Sequence, residues 1–142
     1  MSESITVATI PHRPPFLFVD EIVELTSDRI VTTTLADPEA DFFRGHYPDE
    51  PVMPGVLIIE AMAQTAAVLV VATLGSESEG KLVYFMSIDS ARFRKPVSPG
   101  DTLRVQVTKQ ARRGNIWKFV GQAKTGDDVV ADATFTAMIM DR

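Results

Sequence analysis

The hydrophobic pattern of this chain changes character once. From Val56 to Leu74 nearly every position is apolar and Glu60 is the only charged residue. Ala61, Met62, Ala63, Ala66, Ala67 and Leu69 are good helix formers, and Pro54 suits a first helical turn, where its missing N–H is not needed. The segment predicts one long helix, ended by Gly75, Ser76 and Gly80. A helix that is apolar on most sides requires burial on most sides.

The flanking segments predict strands: residues 16–25 and 30–35 before the helix, and residues 82–94, 102–112, 115–124 and 129–140 after it. Leu103, Val105 and Val107 alternate with Arg104, Gln106 and Thr108, as in a strand with one buried face. Turn signals at Ser27-Asp28, Ser98-Pro99-Gly100-Asp101, Arg113-Gly114-Asn115 and Thr125-Gly126-Asp127-Asp128 separate the runs, and the four later strands predict an antiparallel meander. A short amphipathic start near residues 5–10 gives way to Pro11-His12-Arg13-Pro14-Pro15, which forbids helix. Between residues 36 and 55 periodicity is lost, and Pro38, Pro48, Pro51 and Pro54 hold an irregular loop, the expected seat of chemistry. The economical architecture is α+β: one domain over residues 1–142, a strongly curved antiparallel sheet wrapped around one long central helix.

Composition narrows the function classes. The chain of 142 residues is 45% hydrophobic and 23% charged, as expected of a soluble domain with a real core. It contains no cysteine and two histidines, His12 and His46, so disulfides and thiolate metal sites are excluded and a metal-free protein is expected. A net charge of -5 disfavours nucleic acid as a partner. The greasy segment approaches membrane-spanning length, but Glu60, Gln64 and Thr65 interrupt it, so burial inside a globule is expected rather than a membrane. The first residues lack the pattern of a secretion signal, and a cytoplasmic protein is expected.

Candidate chemistry centres on Gly45-His46-Tyr47-Pro48 and on Glu60, a carboxylate in apolar company that needs a partner or a neutral state. Gln64 lies one helical turn beyond Glu60 on the same face, where it can orient that carboxyl. Gly55 stands where the helix begins and could direct an unpaired N–H and the positive end of the helix dipole at a developing oxyanion. Arg94 and Lys95, with Arg92, Arg112 and Arg113, are candidates for a local basic patch. His12 is read as structural, tying down the N-terminal segment.

The run from Gly45 to Gln64, the opening Ile10-Pro11-His12-Arg13-Pro14-Pro15-Phe16-Leu17-Phe18-Val19-Asp20, the segment Phe93-Arg94-Lys95-Pro96-Val97-Ser98-Pro99-Gly100-Asp101 and the ending Ala133-Thr134-Phe135-Thr136-Ala137-Met138-Ile139 together resemble the (3R)-hydroxyacyl-[acyl-carrier-protein] dehydratases of FabZ type. These are hot-dog fold enzymes of type II fatty acid synthesis. The resemblance covers nearly the whole chain. It implies His46 and Glu60 as the catalytic pair, Gly55 as the carbonyl-binding amide, and the Val52 carbonyl as the group fixing the His46 tautomer. It also implies an acyl carrier protein with its phosphopantetheine-linked acyl chain as partner, no cofactor, use in fatty acid and lipid A biosynthesis, and a homodimer assembling into a trimer of dimers. In that family the two catalytic residues of one site come from different subunits. Glu at position 60, where FabA-type dehydratase-isomerases carry Asp, favours the FabZ type. Tyr47 stands where Phe is commoner. Rival expectations are a hot-dog thioesterase, whose carboxylate would activate water, and a non-catalytic acyl-binding sensor.

Overall fold

The computed structural model describes residue 6 and residues 9–47, 49–78 and 81–141. The expected amphipathic start near residues 5–10 lies largely outside these, as do Pro48 and Gly80. In chain order the elements are β1 (Glu21–Leu25), β2 (Arg29–Leu35), α1 (Asp41–Gly45), α2 (Gly55–Leu74), a 3-10 turn (Gly75–Ser78), β3 (Lys81–Phe93), β4 (Thr102–Arg113), β5 (Ile116–Thr125) and β6 (Asp128–Asp141). The strands form one antiparallel sheet in the order β1-β2-β4-β5-β6-β3.

The long helix falls where its apolar run demands. Pro54 caps its start, and Gly75 ends it with φ 58°, a conformation that side chains resist, while its N–H bonds the Val71 carbonyl. α2 packs on β2, β3, β4 and β5, and every residue from 61 to 70 is buried. Beneath it Trp117, Phe119 and Phe135 fill the sheet's inner face, with Phe119 and Phe135 ring centroids 5.5 Å apart. The sheet and its one long central helix are the hot-dog arrangement that the motifs imply.

Three local expectations change. The meander holds for β4, β5 and β6, but β3 lies at the far edge beside β6, and β2 pairs with β4. The link from β2 to β3 runs through α2 across the sheet face, so the chain re-enters on the opposite side. The predicted first strand contracts to β1, because residues 16–18 direct backbone groups at a side chain of α2 rather than at a neighbouring strand. The loop of residues 36–55 contains the short helix α1, anchored by buried Phe43 and by Phe42, which packs near Phe18.

Helix and sheet approach most closely at Gly121 of β5, where an added Cβ would lie 2.9 Å from the Met62 sulfur and 3.3 Å from the Phe135 ring. Alanine inside a strand is ordinarily favoured over glycine. Here Met62 is fully buried, and Gly121→Ala is expected to lower stability by about 1–3 kcal/mol through overpacking, read as a fall in the urea midpoint at unchanged slope.

Candidate active site

Two side chains on one face of α2 define the carboxylate half of the site. Gln64 is 1% exposed. The Phe18 backbone N–H donates to its Oε1 at 2.7 Å. Because a backbone N–H can only donate, this bond fixes which end of the amide is oxygen. The Nε2 group then has two hydrogens to place, and it donates to the Phe16 carbonyl at 2.9 Å and to Glu60 Oε2 at 2.9 Å. The orienting contact expected from the one-turn spacing is present. The same amide also explains why residues 16–18 leave the strand ladder.

Glu60 itself is only half-buried, with 27% of its side chain exposed in the single chain. The apolar enclosure expected from its neighbours Ile59, Ala61 and Ala63 is therefore incomplete, because the helix face carrying it points into an open cavity rather than into the core. That cavity, of about 640 Å³, is lined by the helix-face residues Glu60, Ala63, Gln64, Ala67 and Val71, by Ile10, Pro11 and His12, and by Val83 and Phe85 of β3. Small residues on the helix side leave room for a trough whose walls combine apolar residues with the polar Thr9, Ser78 and Lys81. His46 is not among its lining residues.

His46 stands just past α1, and its backbone N–H bonds the Phe42 carbonyl at 3.1 Å. Its Nδ1 lies 2.9 Å from the Val52 carbonyl. A carbonyl only accepts, so Nδ1 carries the hydrogen and Nε2 keeps a free lone pair. Val52 is held in turn by its neighbour Met53, which is buried and donates its N–H to the Val97 carbonyl at 2.8 Å. Tyr47 follows with φ 55°, a left-handed conformation uncommon for a bulky residue, and packs its ring edge-on against the imidazole, with centroids 4.8 Å apart.

Gly55 opens α2, where the first N–H groups lack intrahelical acceptors. An added Cβ there would sit 2.8 Å from the Phe93 ring, so the glycine admits an aromatic group against the helix start. The basic residues divide into two sets. Arg94 donates to Asp132 at 2.7 Å and Lys95 lies 3.1 Å from Asp128, so both charges are matched within the chain. Arg92 and Arg113 have no carboxylate partner among the described residues, and Arg112 lies 4.5 Å over the Trp117 ring. Sequence reasoning missed His12 as a member of this neighbourhood: its Nε2 lies 3.7 Å from Glu60 Oε2. The rigid proline turn around it was the available signal. Among the described residues no cluster of His, Asp or Glu could hold a metal ion.

Gln64→Leu removes three hydrogen bonds while conserving apolar bulk, and it strands the Phe18 N–H and the Phe16 carbonyl. The expected cost is about 3 kcal/mol in urea denaturation, larger than for a substitution that merely loses side-chain contacts.

Comparison with known proteins identifies the family. The FabA-like domain matches residues 10–134, which include His46, Gly55, Glu60 and Gln64. The chain is 60% identical over 136 residues to the 3-hydroxyacyl-[acyl-carrier-protein] dehydratase FabZ of Rhodospirillum rubrum, covering 93% of this chain and 83% of that protein. Identity to the proteins of the same name is 57% over 136 residues for Gluconobacter oxydans, with 93% and 79% covered, and 49% over 139 residues for Caulobacter vibrioides, with 95% and 86% covered. Among solved structures, the dehydratase heterocomplex ApeI:P from Xenorhabdus doucetiae superimposes with a TM-score of 0.84 at 15% identity, over 99% of this chain and 94% of that one, a likeness of fold. By the family match over residues 10–134 and by identity of 49–60% to these relatives over most of both chains, the chain belongs to the FabZ-type 3-hydroxyacyl-[acyl-carrier-protein] dehydratases of the FabA-like family.

Proposed function

We propose that this chain is a hydro-lyase converting (3R)-hydroxyacyl-[acyl-carrier-protein] to trans-2-enoyl-[acyl-carrier-protein] and water in type II fatty acid biosynthesis, with His46 and Glu60 as base and acid. The observation that carries the assignment of roles is the pair of fixed orientations. His46 has an Nε2 lone pair freed by the Val52 contact, and Glu60 has one oxygen held by Gln64 and the other left for substrate.

The reaction removes a proton from C2 and hydroxide from C3. His46 Nε2 takes the C2 proton, and the electron pair forms the C2–C3 double bond. The C3–O bond breaks as Glu60 gives its proton to the departing hydroxyl, which leaves as water. Proton exchange then returns the imidazolium and the carboxylate to their starting states. Charge that develops on the thioester carbonyl is met by the Gly55 N–H at the start of α2, a type of contact worth about 2.7–4 kcal/mol in the transition state. The part of the trough between α2 and β3 walled by Ala63, Ala67, Val71, Val83 and Phe85 is the place for the acyl chain.

A second copy of the chain belongs to this proposal. β3 is a 13-residue edge strand that leaves Leu82, Tyr84, Met86 and Ile88 exposed. A long apolar edge is a template for pairing, and an antiparallel partner strand would cover it. The same partner would supply the His46 that the Glu60 cavity lacks and would close that cavity against water. Assembly of such dimers into a trimer, a cytoplasmic location and a contribution to lipid A acyl chains follow the family pattern and are part of the same reading. Docking of the acidic carrier at Arg94 and Lys95 is supported by their exposure. With Asp132 and Asp128 opposite them, the net attraction in that corner rests on the neighbouring Arg92.

His46→Ala and Glu60→Gln are each expected to lower turnover of a (3R)-hydroxyacyl thioester by about 10²- to 10⁴-fold with folding retained, followed as loss of enoyl absorbance. Release of free thiol without enoyl product would identify a thioesterase instead. Binding without either product would identify a sensor, and wild-type turnover in either variant would remove that residue from its role.

A further inference from the structure

Glu60 Oε2 faces two nitrogens, and only one belongs to Gln64. The other is Nε2 of His12 at 3.7 Å, a residue that lines the same cavity and has 29% of its side chain exposed. Its second ring nitrogen, Nδ1, is buried with no hydrogen-bond partner. A buried N–H without an acceptor costs more than a buried lone pair beside apolar atoms, so the hydrogen belongs on Nε2, facing the carboxyl. Arg13 fixes the turn that carries the ring, donating to the Ile10 carbonyl at 2.8 Å and to the His12 carbonyl at 2.6 Å. The hydrogen bonds that tie this segment down come from Arg13 and Gln64, which leaves the imidazole of His12 without the structural task expected from its sequence setting.

We propose that His12 is a positioning residue for Glu60, the second donor of a fork whose first arm is Gln64. Resting on the acid role assigned to Glu60 above, the fork has two consequences. With both donors on Oε2, the acid proton is confined to Oε1, the oxygen without a partner among the described residues and therefore the one presented to the substrate hydroxyl. As that proton leaves, the charge appearing on the carboxylate meets the Gln64 N–H already in place and draws in the His12 N–H, a stabilisation made in the transition state rather than in the ground state. At 3.7 Å the His12 arm is longer than a hydrogen bond. Contacts of this kind shorten when substrate fills the site and excludes water.

The test compares His12→Gln with His12→Met, side chains of similar length that differ in carrying a donor at the end. Steady-state kinetics use the full chain and the (3R)-hydroxybutyryl thioester of N-acetylcysteamine, beside Glu60→Gln as reference and with urea midpoints measured for all. The glutamine variant is expected to keep kcat within about threefold of the parent, and the methionine variant to lose about 10- to 100-fold in kcat at unchanged KM, with equal urea midpoints. Equal kcat in the two His12 variants, a loss confined to KM, or failure of both to fold would overturn the proposal. If Glu60→Gln is inactive while His12→Met is fully active, only the fork falls. If Glu60→Gln keeps wild-type turnover, the acid assignment falls and the fork with it.

Discussion

The amide of Gln64 is the contact on which the site depends. It lies in the core, 1% exposed, on a helix that otherwise buries apolar side chains, and an amide placed there without partners would cost several kcal/mol. Its oxygen and one N–H are consumed by the backbone of residues 16–18, which brings the N-terminal segment, and with it His12, against the helix. Its remaining N–H reaches Glu60. A single side chain thus couples the fold's N-terminal wrap to the orientation of the carboxyl. One residue further along, Thr65 meets Thr32 of β2 at 2.8 Å, so the polar interruptions of the helix are spent on joining it to its surroundings.

The edge strand is the complementary constraint. The sheet's core face is filled by Trp117, Phe119 and Phe135, yet β3 leaves large apolar side chains in solvent, and the cavity at Glu60 opens beside it. Elsewhere the chain protects its charged surface with local pairs such as Arg94 with Asp132 and Lys95 with Asp128. The proposed dimer, with a second β3 laid against the first, accounts for both the incomplete enclosure of Glu60 and the exposed apolar residues of β3. The helix of membrane-spanning length needs no membrane, because two-thirds of its most apolar window is already buried in the chain.

Much of this was legible in the sequence because the relevant forces are local. The apolar run and Gly75 define α2, the alternation of Leu103, Val105 and Val107 defines β4, and the spacing of Glu60 and Gln64 predicts their hydrogen bond. What escaped was decided by contacts distant in sequence. Residues 16–18 have strand composition, but Gln64, nearly fifty positions away, takes the Phe16 carbonyl and the Phe18 N–H. The position of β3 depends on where α2 carries the chain, which no strand pattern records. α1 is a single five-residue helix held by aromatic packing of Phe42 and Phe43 rather than by propensity. The neighbourhood of His12 and Glu60 likewise exists only once the N-terminal turn has folded onto the helix.

The central claim is that Glu60, oriented by Gln64, works with an imidazole from a second copy of the chain. Mixing denatured His46→Ala and Glu60→Gln chains and refolding them together tests it most directly, since each variant alone has two damaged sites. If the sites are shared between subunits, mixed dimers carry one intact site, and random pairing predicts recovery of about a quarter of wild-type turnover. If both groups of a site belong to one chain, the refolded mixture stays as inactive as the separate variants, and that result would contradict the account.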